Sequence, residues 1–364
     1  NAIHDSFFLS DTKRIHVFMV GVGLIGGTLL SQIEDQKETL KSQNGLEIKV
    51  CGLANSKNMI FDENGIDLSN WRNLLNDSNI PSSFTEFTGR MIGMNLSNTI
   101  FLDNTADAVI PSNYEKILAA SISIATPNKT AASSAYSHYS LLKELAKKNN
   151  VEFLFETNVG AGLPVISTLR NLIHSGDRII SIEAVLSGSV SFIFNNFDGS
   201  KPFSHLVEEA RALGYTEPDP RDDLSGADVK RKITILAREA GLKTETDEVT
   251  IHPILPETCM KASGVEAFFE ELKRQNVYFD RMLKAASAEN KVLRFIARVD
   301  DGKVSCGLEA VGSDSPFYHL AGSDNMIVFT TQRYRQRPLV VRGPGAGAEV
   351  TAAGLFAEII SAGN

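Results

Sequence analysis

Ile15-His16-Val17-Phe18-Met19-Val20-Gly21-Val22-Gly23-Leu24-Ile25-Gly26 is the stretch that decides the fold. An apolar run broken only by His16 ends in three glycines spaced G-x-G-x-x-G. A segment with Leu24, Thr28, Ile33 and Leu40 interleaved with polar residues follows. The run reads as a buried strand and the segment as a helix. Between a strand and a helix the glycines have separate mechanical roles. The first permits a tight turn, the second lets backbone approach a pyrophosphate, and the third allows close helix–strand packing; the helix N-terminus faces the anion. Gly21, Gly23, Leu24, Ile25 and Gly26 are therefore expected to bind a dinucleotide. The bland alternative, a glycine-rich turn with no ligand, lacks a reason for these flanks.

Working outward, Ile48–Ala54, Thr99–Asp103 and Ser121–Ala125 read as further short buried strands, the last two each followed by a helix-like segment. That alternation predicts a parallel sheet with covered faces. From about Val151 the texture changes. Strands are read at Glu152–Phe155, Arg178–Ser187, Val292–Val299 and Val304–Val311, with helices at Pro164–His174, Phe203–Leu213 and Gly226–Ala240 between them. Thr351–Ile360 reads as an apolar helix. The expected class is α/β: a Rossmann-type, parallel-sheet nucleotide-binding domain over residues 1–150 and a mixed α+β domain over 151–335. A C-terminal segment, 336–364, is expected to return to the first domain.

Composition narrows the function classes. The chain has 364 residues, 43% hydrophobic and 22% charged, with a net charge of -8. This balance disfavours nucleic acid or an anionic membrane as the main partner. Cys51, Cys259 and Cys306 are sparse and unpaired in spacing, as free thiols in a reducing compartment would be. No secretory signal and no spanning segment is visible, so a cytoplasmic location is expected. The chain opens on Asn1 rather than Met, which reads as an excised part of something longer, with Asn1-Ala2 readable as a cloning scar.

The end of the second strand bears on the choice of cofactor. Sites that prefer NAD place an acidic residue there for the ribose 2′-hydroxyl. Here Asn55-Ser56-Lys57 stand instead, so a 2′-phosphate is not repelled and Lys57 can neutralise it. The expectation is NADP with NAD use still open, and a solvated surface lysine is the alternative reading of Lys57.

Residues 214–232 carry a carboxylate cluster followed by a helix. Glu217, Asp219, Asp222 and Asp223 lie in a loop stiffened by Pro218 and Pro220, a group suited to an ammonium-bearing ligand or a metal. Asp228 and Lys232, four residues apart, share one helix face beside the stripe Val229, Ile233, Leu236 and Ala240. Such an Asp can orient a lysine for proton transfer at a carbonyl or hydroxyl oxygen. Spacing alone favours the plainer reading, a surface ion pair of little consequence.

The run Ala210–Lys232 resembles the characteristic segment of homoserine dehydrogenases, and Thr126-Pro127-Asn128-Lys129, Glu156–Pro164 and Gly343–Gly354 are similar to further segments of that family. The resemblance extends over nearly the whole chain and is greatest to the C-terminal part of bifunctional aspartokinase–homoserine dehydrogenases. It implies interconversion of L-aspartate 4-semialdehyde and L-homoserine, on the way to threonine, methionine and isoleucine. It implies Lys232 as the proton-transfer residue supported by Asp228, with Lys129 as a second candidate, and Glu217 and Asp223 as substrate-binding carboxylates. Thr105, Ala106, Lys129 and Gly345 join the cofactor set with Asn55, Ser56 and Lys57. Glu156, Val159, Ala161 and Leu163 match a monovalent-cation site, sodium by preference, for which a plain glycine turn is an equal alternative. The resemblance further implies a homodimer or higher oligomer built through the middle, catalytic and dimerisation domain, and an upstream aspartokinase.

The residues leave two other readings open. An aspartate-semialdehyde dehydrogenase needs a nucleophilic cysteine, and none of the three has a suitable setting in the sequence. A non-catalytic NADP-binding regulatory domain leaves Glu217–Lys232 without a role.

Overall fold

The computed structural model describes residues 12–363; the reading of Asn1-Ala2 lies outside the described residues. The chain divides into two compact units. One holds the residues up to Gly162 together with those from Gly347 onward, and the other is Leu163–Ala346.

The first unit is built on β1 (Lys13–Val20), β2 (Leu46–Ala54), β3 (Met59–Phe61), β4 (Thr99–Asp103), β5 (Ser123–Ala125) and β6 (Phe153–Leu154), in the order β3-β2-β1-β4-β5-β6. β1 pairs in parallel with β2 and with β4, and β5 and β6 continue in parallel, while β3 is antiparallel to β2. The apolar runs follow from burial on both faces. On one face, Ile15, Val17 and Met19 of β1 share a core with Leu29, Leu30 and Ile33 of α1 (Leu24–Asn44) and with Ala352, Leu355 and Ile359 of the C-terminal helix Ala348–Gly363. Each fully buried Leu or Ile there contributes roughly 1.5–3 kcal/mol. Phe18, next in the alternation, meets Phe87, and edge-to-face contacts continue through Phe101 and Tyr114 to Phe153.

One strand assignment from the sequence needs correcting. Glu152–Phe155 reads as the start of the second domain, but its residues Phe153 and Leu154 pair with Ile124 and Ala125 and complete the first sheet. The two units accordingly divide after Gly162 and before Gly347, later than 150 and 335.

The second unit contains β7 (Ile179–Val185), β8 (Thr250–Ile251), β9 (Val292–Asp300), β10 (Lys303–Val311), β11 (Asp324–Thr331) and β12 (Leu339–Pro344), ordered β12-β11-β7-β9-β10-β8. All neighbours are antiparallel except β10 and β8. The β9–β10 hairpin turns on Asp301 (φ +46°) and Gly302 (φ +73°), the pair of left-handed residues a tight two-residue turn demands. Onto this sheet pack α2 (Gly188–Asn195), which meets β9 and β11, and α4 (Ala227–Glu239), which meets β9 and β10; the short α3 (Pro220–Leu224) precedes α4. α4 buries Val229, Ile233 and Leu236, the stripe read from its periodicity, with Ala240 half-buried just beyond its end.

Candidate active site

In the first unit a cleft of about 670 Å³ opens at the carboxyl ends of β1, β2 and β4. Gly21 and Gly23, Asn55 and Ser56, and Thr105 and Asp107 line it. It lies where the strand order reverses, which is where open α/β sheets take ligands. Gly21 has φ +87°, and a Cβ there would come 2.8 Å from the Asn104 backbone. A Cβ on Gly26 would lie 2.2 Å from the carbonyl oxygen of Gly21, so helix and turn touch backbone to backbone. A Cβ on Gly23 would meet nothing within 4 Å. Two glycines are thus required by the protein's own packing, and the middle one is not. α1 begins with no side-chain cap and no acidic residue in its first turn, leaving the positive end of its dipole for an anion. Leu24 is exposed and Ile25 packs toward the core, so neither side chain lines the cleft.

At the end of β2, Asn55 Oδ1 accepts the backbone N–H groups of Lys57 and Asn58, both at 2.8 Å. Its side chain builds the turn, while Ser56 reaches the cleft. Lys57 is exposed and outside the lining. The lining does include Arg72, whose guanidinium lies 5.0 Å from the Trp71 ring centroid, along with Trp71, Phe84 and Phe87. Sequence reasoning missed all four. Arg72 sits on the short helix Trp71–Asn76, at no fixed spacing from the glycines, so only the fold brings it to the cleft. Of the other expected cofactor residues, Ala106 is exposed and outside the lining, Lys129 opens the short helix after β5, and Gly345 belongs to the second unit. At Gly345 a Cβ would fall 2.0 Å from the Asn325 amide, so that contact admits only glycine.

In the second unit the carboxylates of residues 217–223 separate by role. Asp219 caps α3 and grips Arg221, its Oδ2 lying 2.5 Å from Nη2; that hydrogen bond holds the carboxyl below its usual range. Asp219 is a structural group. Asp223 turns the other way: its Oδ1 accepts from Ser189 Oγ at 2.7 Å and its Oδ2 from the Glu217 backbone N–H at 2.8 Å. Ser187 caps α2 and its hydroxyl lies 3.0 Å from that of Ser189, so the start of α2 sets the orientation of Asp223. Both serines escaped the sequence reading, although S-G-S between a strand and a helix is a capping signal. The Glu217 residue is exposed.

Lys232 Nζ lies 2.8 Å from Asp228 Oδ2 and donates to the Leu186 carbonyl oxygen at 2.8 Å. Its side chain is only 12% exposed, against 41% for Asp228. This is no solvated surface pair. Two of the three ammonium protons are directed at Asp228 and Leu186, and an ammonium has a third that can be donated to a further oxygen.

The expected cation residues Glu156, Val159 and Ala161 stand in one loop of the first unit, whereas Leu163 begins the second. Gly160 (φ +81°) and Ala161 (φ +53°) are consecutive left-handed residues. For a buried alanine that conformation costs about 1 kcal/mol or more. Among the described residues, no group of three or more His, Cys, Asp or Glu side chains could hold a metal ion, and no helix is long and apolar enough to cross a membrane.

All three cysteines are buried, and burial pushes the Cys51 and Cys306 thiols up to about 12 and raises Cys259. A nucleophilic role needs a thiolate. Iodoacetamide at pH 8 is therefore expected to leave the native protein unlabelled by mass spectrometry and its activity intact, with three alkylations after denaturation. Stoichiometric native labelling that abolishes turnover would reinstate a thiol mechanism.

A family model described as homoserine dehydrogenase matches residues 164–360, and one described as the homoserine dehydrogenase NAD binding domain matches residues 21–156. The chain is 43% identical over 362 residues to bifunctional aspartokinase/homoserine dehydrogenase 1, chloroplastic, of Arabidopsis thaliana, covering 99% of this chain and 40% of that protein. To the bifunctional aspartokinase/homoserine dehydrogenase of Haemophilus influenzae it is 40% identical, covering 99% of this chain and 44% of the relative. The chain thus spans less than half the length of these relatives. Among solved structures, a Candida auris protein of unknown function superimposes with a TM-score of 0.89 at 36% identity, over 96% of this chain and 98% of that one. A hyperthermophilic archaeal homoserine dehydrogenase in complex with NADPH gives 0.73 at 25% identity, over 96% and 97%.

Proposed function

The chain belongs to the homoserine dehydrogenase family, and we propose from that membership that it interconverts L-aspartate 4-semialdehyde and L-homoserine, with Lys232 as the acid and base. The observation that carries the reading is the largely buried ammonium of Lys232, held at 2.8 Å by both Asp228 and the Leu186 carbonyl. A bound nicotinamide supplies or accepts the hydride at the substrate carbon; the protein supplies position and charge. In the reducing direction Lys232 gives a proton to the oxygen as the aldehyde becomes an alcohol. In the oxidising direction it takes that proton back. An ammonium beside the developing oxyanion also lowers the barrier electrostatically. Asp223, steadied by Ser189, and Glu217 hold the substrate ammonium, and Lys129 is the second lysine of the reaction.

The cofactor is NADP in preference to NAD, held on Gly21, Gly23 and the first turn of α1. Arg72 joins Lys57 as a candidate partner of the 2′-phosphate, since Arg72 lines the cleft and Lys57 does not. A monovalent cation, sodium by preference, is proposed on the carbonyls of Glu156, Val159, Ala161 and Leu163 in the 156–163 loop from the family resemblance, and the left-handed Gly160–Ala161 turn supports that reading. It would fix that loop electrostatically. The whole protein is proposed to be a cytoplasmic homo-oligomer with an aspartokinase upstream of this chain.

The test is to follow reduced nicotinamide with L-homoserine and NADP or NAD, in sodium and in choline buffers. Homoserine-dependent reduction is expected, faster with NADP and with sodium. Arg72→Ala should lower the NADP-to-NAD ratio in kcat/KM by roughly tenfold or more, the loss of one charge-assisted phosphate contact. Lys57→Ala should lower it less. Binding of NADP without any turnover would instead favour the regulatory reading.

A further inference from the structure

Asp103, the last residue of β4, is fully buried. Its Oδ1 accepts from the backbone N–H of Thr105 at 2.9 Å and from the Thr105 hydroxyl at 2.6 Å. Its Oδ2 accepts from the Tyr114 hydroxyl at 2.6 Å and from the Asn128 amide at 3.2 Å. The Asp103 carbonyl accepts from Thr126 Oγ1 at 2.7 Å, and Thr126 Oγ1 accepts in turn from the Asn128 N–H at 2.9 Å. Asn128 also donates to the Asp107 carbonyl at 2.8 Å. Burial pushes the carboxyl above its usual range, and these donors pull against that.

One carboxylate therefore ties together the two loops that leave the carboxyl ends of β4 and β5. Thr105 stands on the first, and Asn128, directly before Lys129, on the second. An apolar side chain would seal this strand end equally well, as Ile100, Phe101 and Leu102 do along β4. What a carboxylate adds is four filled acceptor directions, which orient donors on separate segments. We propose that Asp103 is a positioning residue for the reaction, holding Thr105 and the backbone that carries Lys129 in register at the cofactor–substrate junction. The proposal rests on the reading above that Thr105 and Lys129 both belong to the cofactor set and that Lys129 is also the second lysine of the reaction, which together make that junction.

Asp103→Asn keeps the shape but replaces one acceptor with a donor that faces donors. Its kcat is expected to fall by roughly 10- to 100-fold, the order that follows a small misplacement near the reacting atoms. Its affinity for 2′-phospho-ADP-ribose, which lacks the nicotinamide, should stay at the parent value by calorimetry. Tyr114→Phe, which removes one of the four donors, should move kcat in the same direction by less, again with parental affinity for that fragment. If the fragment's affinity falls along with kcat, Asp103 merely holds the sheet end together and the proposal is overturned; unchanged kcat overturns it equally. Should Asp103→Asn not fold, the same two measurements on Tyr114→Phe decide. Thr105→Val and Lys129→Ala run in parallel. If both turn over like the parent, the reading of the junction fails and the proposal falls with it. If both are impaired while Asp103→Asn is not, the positioning role alone is wrong.

Discussion

Lys232→Ala should lower kcat by roughly 10²- to 10⁴-fold, the usual worth of a positioned general acid or base, while leaving cofactor affinity near the parent value. The fold has reason to survive the change. Asp228, the partner left behind, is 41% exposed on its side chain, so water can replace the ammonium there. The Leu186 carbonyl loses one donor, a modest loss beside the barrier change. Lys232→Arg makes the sharper comparison. It keeps the charge but offers a planar group that does not release a proton near neutral pH, so it should recover little activity. Single-turnover kinetics with NADPH and the semialdehyde would measure the chemical step directly. Parental turnover in Lys232→Ala would remove this residue from the mechanism and leave Lys129 as the acid. An Asp228→Asn variant should show a smaller loss, since the Leu186 carbonyl still orients the ammonium.

Two glycine substitutions should part company in a second experiment. Gly26→Ala places a methyl 2.2 Å from the Gly21 carbonyl oxygen, where neither backbone can yield cheaply. Overpacking of this kind costs about 1–3 kcal/mol, so the melting temperature should drop by several degrees and cofactor binding should weaken as α1 shifts. Gly23→Ala meets nothing within 4 Å in the protein itself, and its melting temperature should match the parent's. Its methyl nevertheless occupies space that a pyrophosphate approaches. Cofactor affinity should therefore fall by roughly tenfold or more by fluorescence titration, a loss of at least about 1.4 kcal/mol. A Gly23→Ala protein that binds NADPH as tightly as the parent would mean that the dinucleotide does not lie over this turn.

Much of this was legible in the residues themselves. The apolar run, the glycine spacing and the helix after it specify a strand–turn–helix because backbone sterics and periodicity are local properties. β1, β4 and α4 fall close to where those patterns put them. The family segments around Lys232 and Lys129 could be read from residue order alone. Other features required the chain to be folded. Phe153 and Leu154 belong to the first sheet because they pair with Ile124 and Ala125 across the strand edge, and two residues have no periodicity to announce it. Arg72 reaches the nucleotide cleft, and Ser189 grips Asp223, through contacts between segments far apart in the chain.

The same limit applied to charge. Asp219, Asp223 and Asp228 look alike in sequence, yet one is spent on Arg221, one is aimed by Ser189 and one holds Lys232. Spacing alone made Asp228–Lys232 a surface pair. What lifts it out of that class is the near-complete burial of the Lys232 side chain and its bond to Leu186, 46 residues earlier in the chain with three helices between. Local sequence thus determined the elements, the glycine turn and the family. Which carboxylate, lysine or arginine faces a site depends on desolvation and on partners brought in by distant segments, and only the tertiary structure decided that.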